Sequence, residues 1–154
     1  MSKSLIPEEA KQMIGAETPP GGSLLIEKGA VLKLARAIHD TNPLYTDEEA
    51  ARRSKHGKLL APPTFFDYNV PSGDEREITW KIPLPLTNRV RGKDEIEMLR
   101  PVYVGDTIRA QSKILDIYEK EGKTGKMVFV IAETEYRNQD DEVVMRHRIT
   151  SIRR

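Results

Sequence analysis

An α+β fold is predicted, with a helix-bearing first half followed by an antiparallel sheet. Two observations carry this. Val31, Leu32, Leu34, Ala35, Ala37 and Ile38 recur at helical spacing, with Lys33 and Arg36 between them. From Asp94 onward, strand-type segments follow one another, separated by short charged or glycine-bearing turns. Helices and then strands in a chain of 154 residues read as a single domain, 1–154, whose sheet wraps or packs on the helix. Residues 1–22 form an N-terminal extension to it.

The elements follow in order. Pro7 to Met13 has the composition of one or two helical turns, and Thr18-Pro19-Pro20-Gly21-Gly22 that of a loop. Ser23 to Glu27 is a brief strand candidate. The main helix starts near Gly29 and should stop before Pro43, which disfavours a helical Asn42 and has no N–H for the ladder. Asp47 can cap a second short helix, Glu48 to Ser54, with acidic residues in its first turn and Arg52 and Arg53 near its end. Leu59 to Phe66 is apolar and stiff. Asp67 to Thr79, with Pro71 and Ser72-Gly73, reads as a surface excursion. Pro83 and Pro85 limit Trp80 to Arg91 to an edge strand or extended loop, although Trp80, Ile82, Leu84 and Leu86 alternate. Arg91-Gly92-Lys93 is taken as a turn. Strands are expected at Asp94 to Arg100, Thr107 to Tyr118, Met127 to Tyr136 and Glu142 to Ile152. Turns fall at Pro101 to Asp106, Glu119 to Lys126 and Asn138 to Asp141.

Composition excludes several function classes. A formal net charge of +1 gives no bulk attraction to nucleic acid or membrane. No apolar run is long enough to span a bilayer, and MSKSLIPEEAKQ lacks the core of a signal peptide, so the cytoplasm is the expected location. Without cysteine there is no disulfide, thiol nucleophile or thiolate metal site. His39, His56 and His147 lack the spacing of a helical metal pair, so neither metal nor other cofactor is expected. Glu121-Gly122-Lys123-Thr124-Gly125-Lys126 fails the spacing of a phosphate loop and sits between strands, as a hairpin turn does. His147, between Arg146 and Arg148, reads as part of a solvated sheet face. Arg146, Arg148, Arg153 and Arg154 read as charged surface rather than a phosphate site.

One stretch carries chemistry. At the end of the main helix stand His39, Asp40, Asn42 and Tyr45, beside the apolar wall Leu59 to Phe66. Polar groups delivered to one point against such a wall suggest a pocket. Asp40 suits a helix-terminating turn, and equally a general base or water-holding group.

His39-Asp40-Thr41-Asn42-Pro43-Leu44-Tyr45 resembles the Gly-Asp-x-Asn-Pro-[Leu/Ile]-His signature of the MaoC-like hydratases. The preceding helix, Asp47-Glu48-Glu49-Ala50-Ala51, Ala61-Pro62-Pro63-Thr64-Phe65 and Arg100 to Thr107 also recur there in this order. The match is nearest to the N-terminal-type, fungal-synthase-like dehydratase domain and runs from about Ile14 to Arg153. It implies a hot-dog fold, a long central helix wrapped by an antiparallel sheet. It further implies paired hot-dogs, as a homo-oligomer or a heterodimer with a second MaoC-like chain. The substrate would be an acyl thioester of coenzyme A or acyl carrier protein. The family hydrates trans-2-enoyl thioesters reversibly to (R)-3-hydroxyacyl forms, with a carboxylate and an imidazole activating water and N–H groups stabilising the thioester oxygen.

Under the resemblance, Asp40 is the catalytic carboxylate and Asn42, Ala61, Pro62, Pro63, Thr64 and Phe65 contact substrate. Tyr45 stands in place of the catalytic histidine, and a phenol of pKa about 10 is a poor base at neutral pH. The family's His-Gly pair falls on Pro62 and Pro63, which have no N–H to donate; a shift by one residue brings in Thr64. The leading expectation is therefore the acyl-binding, chemistry-deficient half of a two-hot-dog (R)-3-hydroxyacyl thioester dehydratase or enoyl-CoA hydratase. Alternatives are a self-sufficient homodimeric hydratase using Asp40 with Tyr45 or His56, and a non-catalytic thioester-binding module. A thioesterase is disfavoured by the Asp-x-Asn-Pro run.

Overall fold

The structure is a computed structural model and describes residues 4–68, 72–123 and 125–154. Pro71 and Thr124, both used in the sequence reading, lie outside the described residues.

A curled, antiparallel five-stranded sheet in the order β1-β3-β4-β5-β2 forms the body of the fold. Its strands are β1 (Leu24–Leu25), β2 (Arg89–Met98), β3 (Thr107–Gly122), β4 (Gly125–Arg137) and β5 (Val143–Arg153). Among the described residues six helices precede or interrupt them: α1 (Glu8–Lys11), α2 (Lys28–Ala37), α3 (Pro43–Thr46), α4 (Glu48–Arg53), α5 (Phe65–Tyr68) and α6 (Arg76–Thr79). The α+β architecture and its helix-then-sheet order are as expected. None of these helices is long and apolar enough to cross a membrane.

Alternation places the core. Val128, Val130, Ala132, Thr134 and Tyr136 of β4 are buried, with half-buried residues between them. On β3 the same period holds through Ile108, Ala110, Ser112 and Ile114, then a bulge before Asp116 shifts it so that Ile117 turns inward. Two apolar clusters result. One joins Val31 and Leu34 of α2 to Ile26, Phe65, Phe66, Val102, Ile108 and Met145. The other joins Ile6 and Ala10 of the N-terminal segment to Ile78, Ile82, Ile114, Ile117, Val128 and Val130. Residues 4–22 are therefore built into the fold. Gly15, Thr18 and Gly21 donate backbone hydrogen bonds to Ile114, Ser112 and Ala110 of β3.

Between the clusters runs a polar row. Ser112, Thr134 and His147 are register partners across β3, β4 and β5. Ser112 Oγ lies 2.6 Å from Thr134 Oγ1 and donates to the carbonyl of Gly73 at 2.8 Å. Gly73 has φ +90°, and a Cβ there would fall 2.3 Å from the Ala110 carbonyl oxygen, so only glycine lets this segment approach β3.

Several expectations need correction. Arg91-Gly92-Lys93 is not a turn but a bulge inside β2, which begins at Arg89 and pairs with β5 on both sides of it. A glycine within a ladder and a glycine in a turn look alike locally. Asp67 to Thr79 is not wholly a surface excursion, because Ile78 and Thr79 of α6 are buried. Trp80 is exposed, whereas Ile82, Leu84 and Leu86 pack on the second cluster. The apolar stripe of α2 is narrower than its spacing implies: Val31, Leu34 and Ala35 are buried, but Ala37 and Ile38 are exposed. His147 does not lie on a solvated face. It is 6% exposed, on the side of β5 that carries Met145 and Ile149. Arg153, expected at the surface, is buried as well.

Candidate functional site

The helix end that presents Asp40 is closed by backbone geometry. His39 adopts φ +55°, its N–H donates to Arg36 O at 3.2 Å, and the Asp40 N–H donates to Ala35 O at 2.8 Å. This pair of bonds around a left-handed residue is the Schellman stop, normally made by glycine. It ends α2 at Ala37, well before Pro43. His39 is thus off the helix and exposed. Holding a side chain in this region costs about 1–2 kcal/mol, part of which glycine returns through unfolded-state entropy. His39→Gly is expected to raise stability by about 0.5–1 kcal/mol, read as a higher urea midpoint with unchanged slope.

From there a chain of local caps runs through the signature. Asp40 Oδ1 accepts from Asn42 N–H at 2.9 Å, and Asn42 Oδ1 accepts from Leu44 N–H at 3.0 Å. Asn42 is the N-cap of α3, with Pro43 in its first turn. Asp47 Oδ1 caps α4 by accepting from Glu49 and Ala50 N–H. Asp40, Asn42 and Tyr45 are all half-buried. Burial pushes the Tyr45 phenol above its ordinary value, and the negative charge of Asp40 pushes it further. Tyr45 therefore lies within the field of Asp40 and keeps its proton at neutral pH, able to donate a hydrogen bond but not to act as a base.

The apolar run meets this turn directly. Leu60 N–H donates to Leu44 O at 3.0 Å, and Ala61 N–H to Val102 O at 2.8 Å. Val104 N–H returns to Leu59 O at 2.9 Å, so the Arg100 to Asp106 motif backs the same segment. Asp106 holds that motif's turn by accepting from Tyr103 N–H at 2.8 Å. The segments singled out in the sequence thus converge. Not every predicted contact faces outward, however. Ala61, Pro62 and Phe65 are buried, and only Pro63 and Thr64 are exposed. His56 lies 3.5 Å, through Nδ1, from the Tyr103 hydroxyl.

A family model described as "FAS1-like, dehydratase domain region" matches residues 12–147. The chain belongs to the FAS1-like dehydratase domains. It is 30% identical over 105 residues to a UPF0336 protein of Streptomyces griseus, covering 68% of this chain and 70% of that protein. Its fold matches a solved MaoC-like dehydratase with a TM-score of 0.80 at 18% identity, over 94% of this chain and 43% of that longer one. It also matches the structure of a C-terminally truncated HadBC (3R-hydroxyacyl-ACP dehydratase) complex of Mycobacterium tuberculosis. There the TM-score is 0.73 at 22% identity, over 91% of this chain and 96% of that one. The dehydratase domain is accordingly a MaoC-like hot-dog fold.

Sequence reasoning missed a second cluster in this dehydratase domain. His147 Nε2 lies 2.8 Å from Asp94 Oδ1, and Arg91 grips the same carboxylate. Burial pushes the Asp94 carboxyl up, but the hydrogen bonds and charges of Arg91 and His147 outweigh it and hold Asp94 below the usual carboxylate range. Arg89 Nη2 pairs with Glu75 at 2.9 Å and Arg76 Nε with Asp74 at 2.6 Å. The signal was present in β5: Met145, His147, Ile149, Ser151 and Arg153 share one face by period two.

Proposed function

We propose that this dehydratase domain is the acyl-binding half of a paired hot-dog (R)-3-hydroxyacyl thioester dehydratase, equally a trans-2-enoyl thioester hydratase in reverse. A second hot-dog chain with an intact aspartate and histidine supplies the proton chemistry. The substrate is a thioester of coenzyme A or acyl carrier protein, the reaction needs no cofactor, and its place is the cytoplasm.

The observation that carries this reading is Tyr45 beside Asp40. Hydration requires a base to take a proton from water as the oxygen adds to C3, while negative charge moves onto the thioester oxygen. Asp40 can hold the water, since one of its oxygens is used by Asn42 N–H. Tyr45, with its phenol pushed up by burial and by Asp40, cannot take the proton. Pro62 and Pro63 cannot supply the N–H that would stabilise the thioester oxygen.

Pairing is supported by β2. It is one of the sheet's two edge strands, exposed from Val90 onward, with Ile96 at 42% and Met98 at 37%. An edge of this kind calls for a covering chain.

The test is hydration of trans-2-enoyl thioesters by the chain alone, by its Asp40→Asn variant, and by the chain mixed with a hot-dog protein carrying the complete Gly-Asp-x-Asn-Pro-x-His signature. Neither single protein is expected to turn over above background, and the mixture is expected to exceed the partner alone. Turnover by the isolated chain that disappears in Asp40→Asn would overturn the division of labour. So would a mixture no faster than the partner.

A further inference from the structure

We propose that the charged cleft between α6, β2 and β5 is a binding site for a ligand bearing an oxyanion, either a phosphate or a carboxylate. This site is separate from the Asp40 turn and does not depend on the hydratase reading.

The cleft consists of two adjoining cavities that share Glu75, Arg76, Arg91 and Ile149 in their walls. The inner one, about 70 Å³, is also lined by Phe66, Thr134, Tyr136 and His147. The outer one, about 400 Å³, opens past Trp80, Arg89 and Ser151. That volume accommodates a small organic anion rather than a single ion.

Charge is matched pair by pair except at one point. Arg76 has Asp74, Arg89 has Glu75, and Arg91 has Asp94. Arg153, the register partner of Arg89, is 9% exposed and has no carboxylate partner among the described residues. Its Nη2 donates to the Thr79 carbonyl at 3.0 Å, and its Nε has no hydrogen-bond partner among those residues. Burial and the like charge of Arg89 both push the Arg153 guanidinium down, with Glu75 only partly opposing them. A buried cation beside a second cation is costly unless something negative neutralises it.

Two more polar atoms wait at the same place. Arg89 Nη1 and Ser151 Oγ are buried and have no hydrogen-bond partner among the described residues. Ser151 is 2% exposed and lines the outer cavity. Native proteins seldom leave several buried polar groups unpaired at one spot. Arg89 and Ser151, both in the wall of the outer cavity, match an oxyanion that accepts from the guanidinium and the hydroxyl, with the charge of Arg153 behind them. Trp80 adds a flat apolar surface at the mouth, with the Arg89 guanidinium carbon 5.6 Å from its ring centroid. The ligand expected is therefore an oxyanion on an apolar or planar body.

Trp80 is the sole tryptophan of the chain, so its fluorescence reports on this cleft alone. The whole chain is titrated with inorganic phosphate and, separately, with glutarate, at an ionic strength held constant with chloride. A saturable change is expected with at least one of them. Phosphate alone would mark a phosphate-bearing ligand, and glutarate alone a carboxylate-ended one. Arg153→Gln, which removes the positive charge behind the cavity wall, is expected to weaken binding about tenfold. Ser151→Ala, which leaves the buried charges intact and should fold normally, is expected to weaken it severalfold. A linear response to both anions, or saturation with equal affinity in wild type and Ser151→Ala, would overturn the site.

Discussion

Tyr45→His is expected to raise the hydration of trans-2-enoyl thioesters by the isolated chain by about 10²-fold or more, the usual contribution of a positioned general base. The backbone that would carry the imidazole is already set: Asn42 caps α3, and the Tyr45 N–H donates to Asn42 O at 3.0 Å. The charge of Asp40 that pushes the phenol up would act on an imidazole in the opposite functional sense. It favours the imidazolium, while burial disfavours it, so the two effects act against each other. Activity of the variant should therefore rise with pH through the imidazole titration and be lost below it. A Tyr45→Phe control should remain as slow as wild type. No gain in Tyr45→His would show that the missing group is not the imidazole. The proline pair, which offers no N–H to the thioester oxygen, would then be the deficit that decides function.

The parts of this chain that could be read from sequence are those whose cause is local. Strand-type segments between short turns identified β3 to β5, and in each of them one face is buried along most of its length. The Asp40 to Asp47 turn was legible for the same reason, since each cap bonds to a backbone group two or three residues away. What escaped is long-range. The end of α2 depends on His39 entering a backbone region usually left to glycine, and no composition signal announces that. Gly92 became a bulge because β5 continues past it, a partner far along the chain. The charged cleft takes Asp74 and Glu75 from one segment, Arg89 and Asp94 from β2, and His147 and Arg153 from β5. Arginines flanking His147 suggested solvent, although alternation with Met145 and Ile149 already placed it inside.

Phe65→Ala is expected to cost about 3–5 kcal/mol, as large-to-small changes at well-packed aromatic sites do. Against a total stability of roughly 5–15 kcal/mol that is a large fraction. Phe65 is 1% exposed and packs with Ile26, Val31 and Leu34. Its ring meets Phe66 edge-on at 5.8 Å, and Phe66 in turn lies 4.8 Å from Tyr136, so one deletion removes support from a connected aromatic series. The sequence alone placed Phe65 with Ala61 to Thr64 on a substrate wall, and denaturation separates the two roles. A core residue should lower the urea midpoint sharply at unchanged slope. Exposed Thr64, changed to alanine, should stay within about 0.5 kcal/mol of wild type. If Phe65→Ala instead left the midpoint near wild type and altered thioester binding, the ring would be facing ligand, and the apolar run would be a wall throughout. With the core role upheld, only the exposed Pro63 and Thr64 of Ala61 to Phe65 remain open to a ligand, and the buried residues of the run belong to the core that Leu60 ties to the Asp40 turn through Leu44.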